Sequence, residues 1–139
     1  MSIESTTDDE TTVWDVIEYG SVKGLDEIIK LNSVPLDATH TAGMSMLQTA
    51  VYHQKLDMVE YLLRRGANVD YQDVTGYTAL THAAVGGNVA IVKALIDANA
   101  SVNVQDNQGM TALMDMIAMD DVNMTTVSFL LEQGADVTL

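Results

Sequence analysis

The chain contains no cysteine, one proline, one phenylalanine and one tryptophan, and its basic residues number only six. Without cysteine there are no disulfides, no thiol nucleophile and no thiolate metal site, and the redox compartment is left open. With aromatics at 5% of the chain and apolar residues at 47%, the core must be filled by Leu, Val, Ile, Ala and nine Met. Such small side chains suit helices packed close together. No window approaches the ~20 uninterrupted apolar residues of a membrane span. The opening MSIESTTDDETT has neither a basic start nor an apolar run, so no targeting segment is expected and a cytoplasmic location follows. At 139 residues the length suits one folding unit with a continuous core.

The scarcity of cations has a sharper consequence. Twenty Asp and Glu face Lys23, Lys30, Lys55, Arg64, Arg65 and Lys93, giving a formal charge of −14. The residues after Lys93 carry seven acids, from Asp97 to Asp136, and no base. Free nucleic acid would be repelled, which excludes a direct nucleic-acid binder. A field of this sign keeps a protein soluble and monomeric, and it accelerates encounter with a basic partner.

What is present is a repeat. Segments beginning at Gly43, Gly76 and Gly109 align at intervals of 33 residues, and Leu47, Leu80 and Leu113 keep the same spacing, as do Asp73 and Asp106. Within the second unit Thr78 opens a short helix carrying Ala83 and Ala84, and its hydroxyl is suited to cap free backbone amides. Gly86, Gly87 and Asn88 break that helix. Val89, Val92, Leu95 and Ile96 then form the apolar stripe of a second one. The second helices should end at Gly66, Asn99 and Gly134, residue types that tolerate a left-handed exit. Such a pair cannot bury its own face, so stability must come from stacking on neighbours.

Through GYTALTHAA, VAIVKALIDANASVNVQD and VEYLLRRGANVDYQD, together with the period of 33, the chain resembles the ankyrin-repeat family from about residue 13 to 139. The resemblance implies an all-α solenoid of stacked helix-turn-helix units: a degenerate N-terminal cap at about 13–36, repeats at about 37–69, 70–102 and 103–139, and an acidic, disordered leader at 1–12. The cap segment VIEYGSVKGLDEIIKL aligns with the second repeat at an offset of 67, with one extra residue in the connection through Pro35. In the last repeat a two-residue insertion lies near Asp120 to Met124, and Val127, Phe129 and Leu130 are expected to be partly exposed at the end of the stack. The family's Thr-Pro-Leu-His segment reads SMLQ, TALT and TALM here. Its His ties loop to helix, so Gln48, Thr81 and Met114 should leave looser turns.

The resemblance also implies that partners are held in a concave groove made of loop tips and the exposed side of each first helix. The cap contributes Trp14, Glu18 and Tyr19 to that groove, and the first repeat contributes Thr39, Thr41, Ala42, Met44, Tyr52 and His53. The second supplies Gln72, Val74, Thr75, Tyr77, Val85 and Gly86, and the third Gln105, Asn107, Gln108, Met110, Ala118 and Met119. Tyr19, Tyr52, Tyr77, Met44, Met110 and Met119 would form a rim of aromatic and adaptable apolar groups, with Tyr71 beside it. The same rings could instead cover seams between repeats.

No phosphate-cradling loop, metal-spaced His and Glu cluster or nucleophile with a matched base appears, so no enzyme, cofactor or metal is expected. His40 and His53 of the first repeat and His82 of the second should serve local structural roles. Asp120 and Asp121 read as a solvated turn, too few for a calcium site. The expected function is a protein-binding adaptor or inhibitor that grips one basic protein. Two alternatives are a neutraliser of a toxin or nucleic-acid-processing enzyme, and a self-assembling structural subunit that a size measurement would reveal.

Overall fold

The computed structural model describes residues 12–40 and 42–136, so Thr41 and most of the leader lie outside the described residues. Among these are eight helices and no strands: α1 Val13–Tyr19, α2 Val22–Asn32, α3 Met46–Tyr52, α4 Leu56–Arg64, α5 Ala79–Gly86, α6 Val89–Asp97, α7 Ala112–Ile117 and α8 Met124–Glu132. None is long and apolar enough to cross a membrane.

Each first helix starts for the same reason. The hydroxyls of Thr12, Ser45, Thr78 and Thr111 accept from the backbone amides of Asp15, Gln48, Thr81 and Met114, satisfying a donor that the helix itself leaves free. These four caps are 33 residues apart, so the period reaches back into the first unit. That corrects the single offset of 67 expected for the cap segment. From Thr12 to Ser21, the cap of α2, is 9 residues, where Thr78 to Asn88, the cap of α6, is 10. The first hairpin is therefore one residue short, and the extra residue before Ser45 restores the register. In the last unit, Thr111 to Asn123, the cap of α8, is 12, which places the expected two-residue insertion in the connector 118–123.

The second helices also stop alike. Ser33, Gly66, Asn99 and Gly134 all adopt positive φ, between 52° and 93°. The amides just beyond them, of Val34, Ala67, Ala100 and Ala135, donate to the carbonyls of Ile29, Leu62, Leu95 and Leu130 at 3.0–3.1 Å. This is the six-residue return that closes a helix over its orphan carbonyls.

Helices α1, α3, α5 and α7 pack in order as one layer, and α2, α4, α6 and α8 as a second. Small buried residues, Ala50 in α3, Ala79, Ala83 and Ala84 in α5 and Ala112 in α7, let the first layer approach closely. Between the layers lie Ile17, Leu25, Leu47, Leu62, Leu80, Leu95, Leu113 and Leu130, at most 1% exposed. The sequence expectation for the last unit is corrected here. Val127 and Leu130 are buried, Phe129 is partly exposed as expected, beneath the Lys93 ammonium, and the large apolar groups of α7 and α8 that stand exposed are Ile117, Met124 and Leu131. Those three lie off the stripe that α7 and α8 turn toward each other.

One polar tie joins the cap to the first repeat. The Tyr61 hydroxyl donates to Asp26 Oδ1 at 2.7 Å, Arg65 Nη1 reaches both of them, and Lys30 Nζ holds Asp26 Oδ2 at 2.9 Å. The phenol, and after it the ammonium, keep the Asp26 carboxyl below its ordinary range. Tyr61→Phe is expected to lose about 1 kcal/mol in urea unfolding at neutral pH. Because a lowered carboxylate stabilises only above its ordinary pKa, that difference should shrink as the solution is acidified through the lowered value.

Candidate functional site

The loop tips before each first helix are built on one plan. His40, Asp73 and Asp106 each donate a backbone amide to the carbonyl four residues on, at Met44, Tyr77 and Met110, and accept from Gly43, Gly76 and Gly109. Inside each turn a side-chain acceptor takes the amide two residues ahead: His40 Nδ1 from Ala42, Asp73 Oδ1 from Thr75, and Asp106 Oδ1 from Gln108, each at 2.9 Å. Short side chains that bond their own backbone favour such turns. Gly76 is required twice over. Its φ is +84°, and a Cβ there would sit 2.6 Å from the amide nitrogen of Asn107.

The expectation of loose turns fails at Gln48. Its side chain, 1% exposed, donates from Nε2 to the carbonyls of Tyr71 (3.1 Å) and Tyr77 (2.8 Å), while Oε1 accepts from Ser45 N. A primary amide thus ties the first repeat to the loop of the second. Thr81 meets the Thr78 hydroxyl at 3.2 Å.

Around these loops the residues singled out from sequence fall into distinct settings. Met44, Val74, Thr75, Tyr77, Asn107 and Gln108 line one cleft of about 610 Å³ with Ala42, Asp73, His82 and Asp106. Tyr52 and Val85 share a second cleft of about 240 Å³ with Gln54 and His82, and Val85, Gly86 and Met119 line a third with Asp121. At the cap end Tyr19 (78% exposed) and Tyr52 (65%) are the most exposed rings, and His53 Nδ1 stands 3.9 Å from Glu18 Oε2. A hydrogen bond to the Glu18 carboxylate raises the Tyr19 phenol above its ordinary pKa. Trp14 packs edge-on to His40, with ring centroids 5.0 Å apart.

Other predicted residues are engaged in holding the loops to one another. Gln72 Nε2 donates to the carbonyls of Gly76 and Gln105, Gln105 Nε2 to that of Gly109, and Asn107 Nδ2 to that of Val74. Met110 is half-buried. Tyr71 donates to the Gly43 carbonyl and covers a seam between repeats, and Tyr77 is half-buried, edge-on to His82. The aromatic rim thus reduces to Tyr19 and Tyr52 as freely presented rings.

The buried carboxyl of Asp73 receives His82 Nε2 at 2.8 Å as well as the Thr75 hydroxyl at 2.6 Å. Burial raises this carboxyl, and these bonds outweigh it, leaving it below the ordinary value. Sequence reasoning singled out neither this pair nor the equivalent Asp106 and Asp115, although the 33-residue spacing relates the two. Among the described residues no group of three or more His, Asp or Glu is placed to hold a metal ion.

The charges are segregated. Lys23 and Lys30 lie on α2, Lys55, Arg64 and Arg65 on α4 and its two caps, and Lys93 on α6. No Lys or Arg lies on a first helix or on a loop between repeats, where Asp15, Glu18, Asp37, Asp70, Asp73, Asp106, Asp115 and Asp136 are found.

Residues 47–139 match the family described as ankyrin repeats in three copies. The potassium channel AKT1 of Arabidopsis thaliana is 41% identical over 61 residues, 44% of this chain and 7% of the channel. Protein phosphatase 1 regulatory subunit 27 of Mus musculus is 33% identical over 66 residues, 48% of this chain and 43% of that protein. The chain therefore spans less than half the length of either relative.

Proposed function

Because this chain belongs to the ankyrin-repeat family, we propose that it is a non-catalytic binding module whose first-helix face and loop tips hold one protein partner with a basic surface. The observation that carries this reading is the segregation of charge. The second-helix layer mixes both signs, whereas the face formed by α1, α3, α5, α7 and their loops carries carboxylates and no Lys or Arg among the described residues. A face of one sign steers an opposite partner and rejects like-charged ones. The exposed Tyr19 and Tyr52 and the cleft walled by Met44, Val74 and Tyr77 supply the apolar anchors that charge alone lacks. Likeness to a regulatory subunit of a phosphatase supports a role exerted through a partner.

Capture of partners on the immobilised protein at about 50 mM and about 300 mM salt tests the reading, because screening shortens from above ~10 Å to well below it over that range. A basic protein retained at low salt and depleted at high salt is the expected result. A retained set that is acidic, or unchanged by salt, would contradict a basic partner.

A further inference from the structure

Shifting the second repeat by 33 residues places Asp73 on Asp106 and His82 on Asp115. In the second repeat the pair is a carboxylate and an imidazole, with His82 Nε2 2.8 Å from Asp73 Oδ2. In the third the same two places hold two carboxyl groups within hydrogen-bond reach of each other. Asp106 is 9% exposed, and its Oδ1 already accepts from the amides of Gln108 (2.9 Å) and Met110 (3.0 Å), bonds that suit the ionised form. Asp115 Oδ2 is shielded from solvent and has no donor among the described residues. Two ionised carboxylates in contact repel, and a buried oxygen with no donor costs free energy.

We propose that Asp106 and Asp115 share one proton, carried by Asp115 and donated to Asp106, so that a bound proton makes in the third repeat the loop-to-helix tie that an imidazole makes in the second. The O–H of Asp115 bonds Asp106 while the proton is present. When it leaves, two negative charges face each other behind the turn that presents Gln108 and Met110, and the tie opens. Burial, together with the hydrogen bond and charge of Asp106, pushes the Asp115 carboxyl up to about 7. Asp106 is raised by burial but held below its ordinary value by the bonds from Asp115, Met110 and Gln108.

Few other groups compete for this proton. From the preceding loop and α5 come Asp73, paired with His82, and Tyr77, whose phenol is raised by burial and by Asp115, Asp106 and Asp73. From α8 the ionisable side chain is Glu132, exposed at the last residue, and the connector 118–123 adds the exposed Asp120 and Asp121. No cation among them stands in for the proton, since the one imidazole is taken by Asp73.

The sign of the linkage is fixed. An Asp115 carboxyl held above its ordinary 3.8 keeps a proton in the folded state that the unfolded chain has released, so folding stability falls as pH rises between about 4 and 7 and levels off above. Asp115→Asn supplies a permanent N–H donor in place of the proton. Relative to that variant, the wild-type unfolding constant should climb by up to about tenfold per pH unit within the window. A side-chain carboxyl carbon-13 titration of the wild-type protein should show one aspartate transition near pH 7, absent from Asp115→Asn. Aspartate signals that are all flat above pH 5.5, or a wild-type to variant ratio independent of pH, would overturn the shared proton. The wild-type titration is decisive even if the variant does not fold.

Discussion

Gln48→Ala is expected to destabilise the protein by about 3 kcal/mol in urea unfolding. The Gln48 amide satisfies three backbone groups at once, the carbonyls of Tyr71 and Tyr77 and the amide of Ser45, and the side chain is 1% exposed. Orphaning one buried polar group costs about 1–3 kcal/mol, and truncation adds a cavity. The two carbonyls belong to the loop that starts the second repeat, so the damage falls on an interface between repeats, where a solenoid keeps its cooperativity. Gln48→Glu separates volume from hydrogen bonding. It preserves size, replaces the N–H donors by an acceptor against two carbonyls, and should lose at least as much at neutral pH. A loss below about 1 kcal/mol in both variants would show that the loop is held by other contacts.

Replacing Tyr19 and Tyr52 together by Ala is expected to weaken binding of the captured partner more than tenfold, which corresponds to about 1.4 kcal/mol or more. Both rings are largely exposed, so little internal packing is lost and circular dichroism should be unchanged. Exposed tyrosines offer large contact area at little cost in side-chain entropy. The measurement is a titration calorimetry comparison of wild type and double variant, and unaltered affinity with intact helix content would remove these rings from the binding face.

The architecture was legible because a solenoid writes its plan in one dimension. The interval of 33, the Thr or Ser that caps each first helix and the Gly or Asn at each exit recur in the sequence as they do in space. Less legible were substitutions that keep a function while changing its chemistry. Gln48 does with an amide what the family does with a histidine, and Ser33 enters the left-handed region without being Gly or Asn. Burial at the stack's end was misjudged because phase within α8 decides it: Val127 and Leu130 point inward, while Met124 and Leu131 remain outside. Of the candidate site, sequence position separated groove-side residues from the outer helices but not presented rings from tied ones. Tyr71 and Tyr19 are separated by their settings: the Tyr71 hydroxyl is received by the Gly43 carbonyl and its ring is half-buried, whereas Tyr19 is 78% exposed.

A single face, not net charge, is proposed to select the partner. Two variants with the same change in total charge test it: Glu18→Gln with Asp37→Asn on the first-helix and loop side, and Glu27→Gln with Glu60→Gln on α2 and α4. Association rates for the captured partner, measured at about 50 mM salt, should fall several-fold for the first pair and stay near wild type for the second. Equal slowing by both pairs would contradict the account, leaving the −14 charge as a diffuse field and the carboxylates of the first-helix face without a special role.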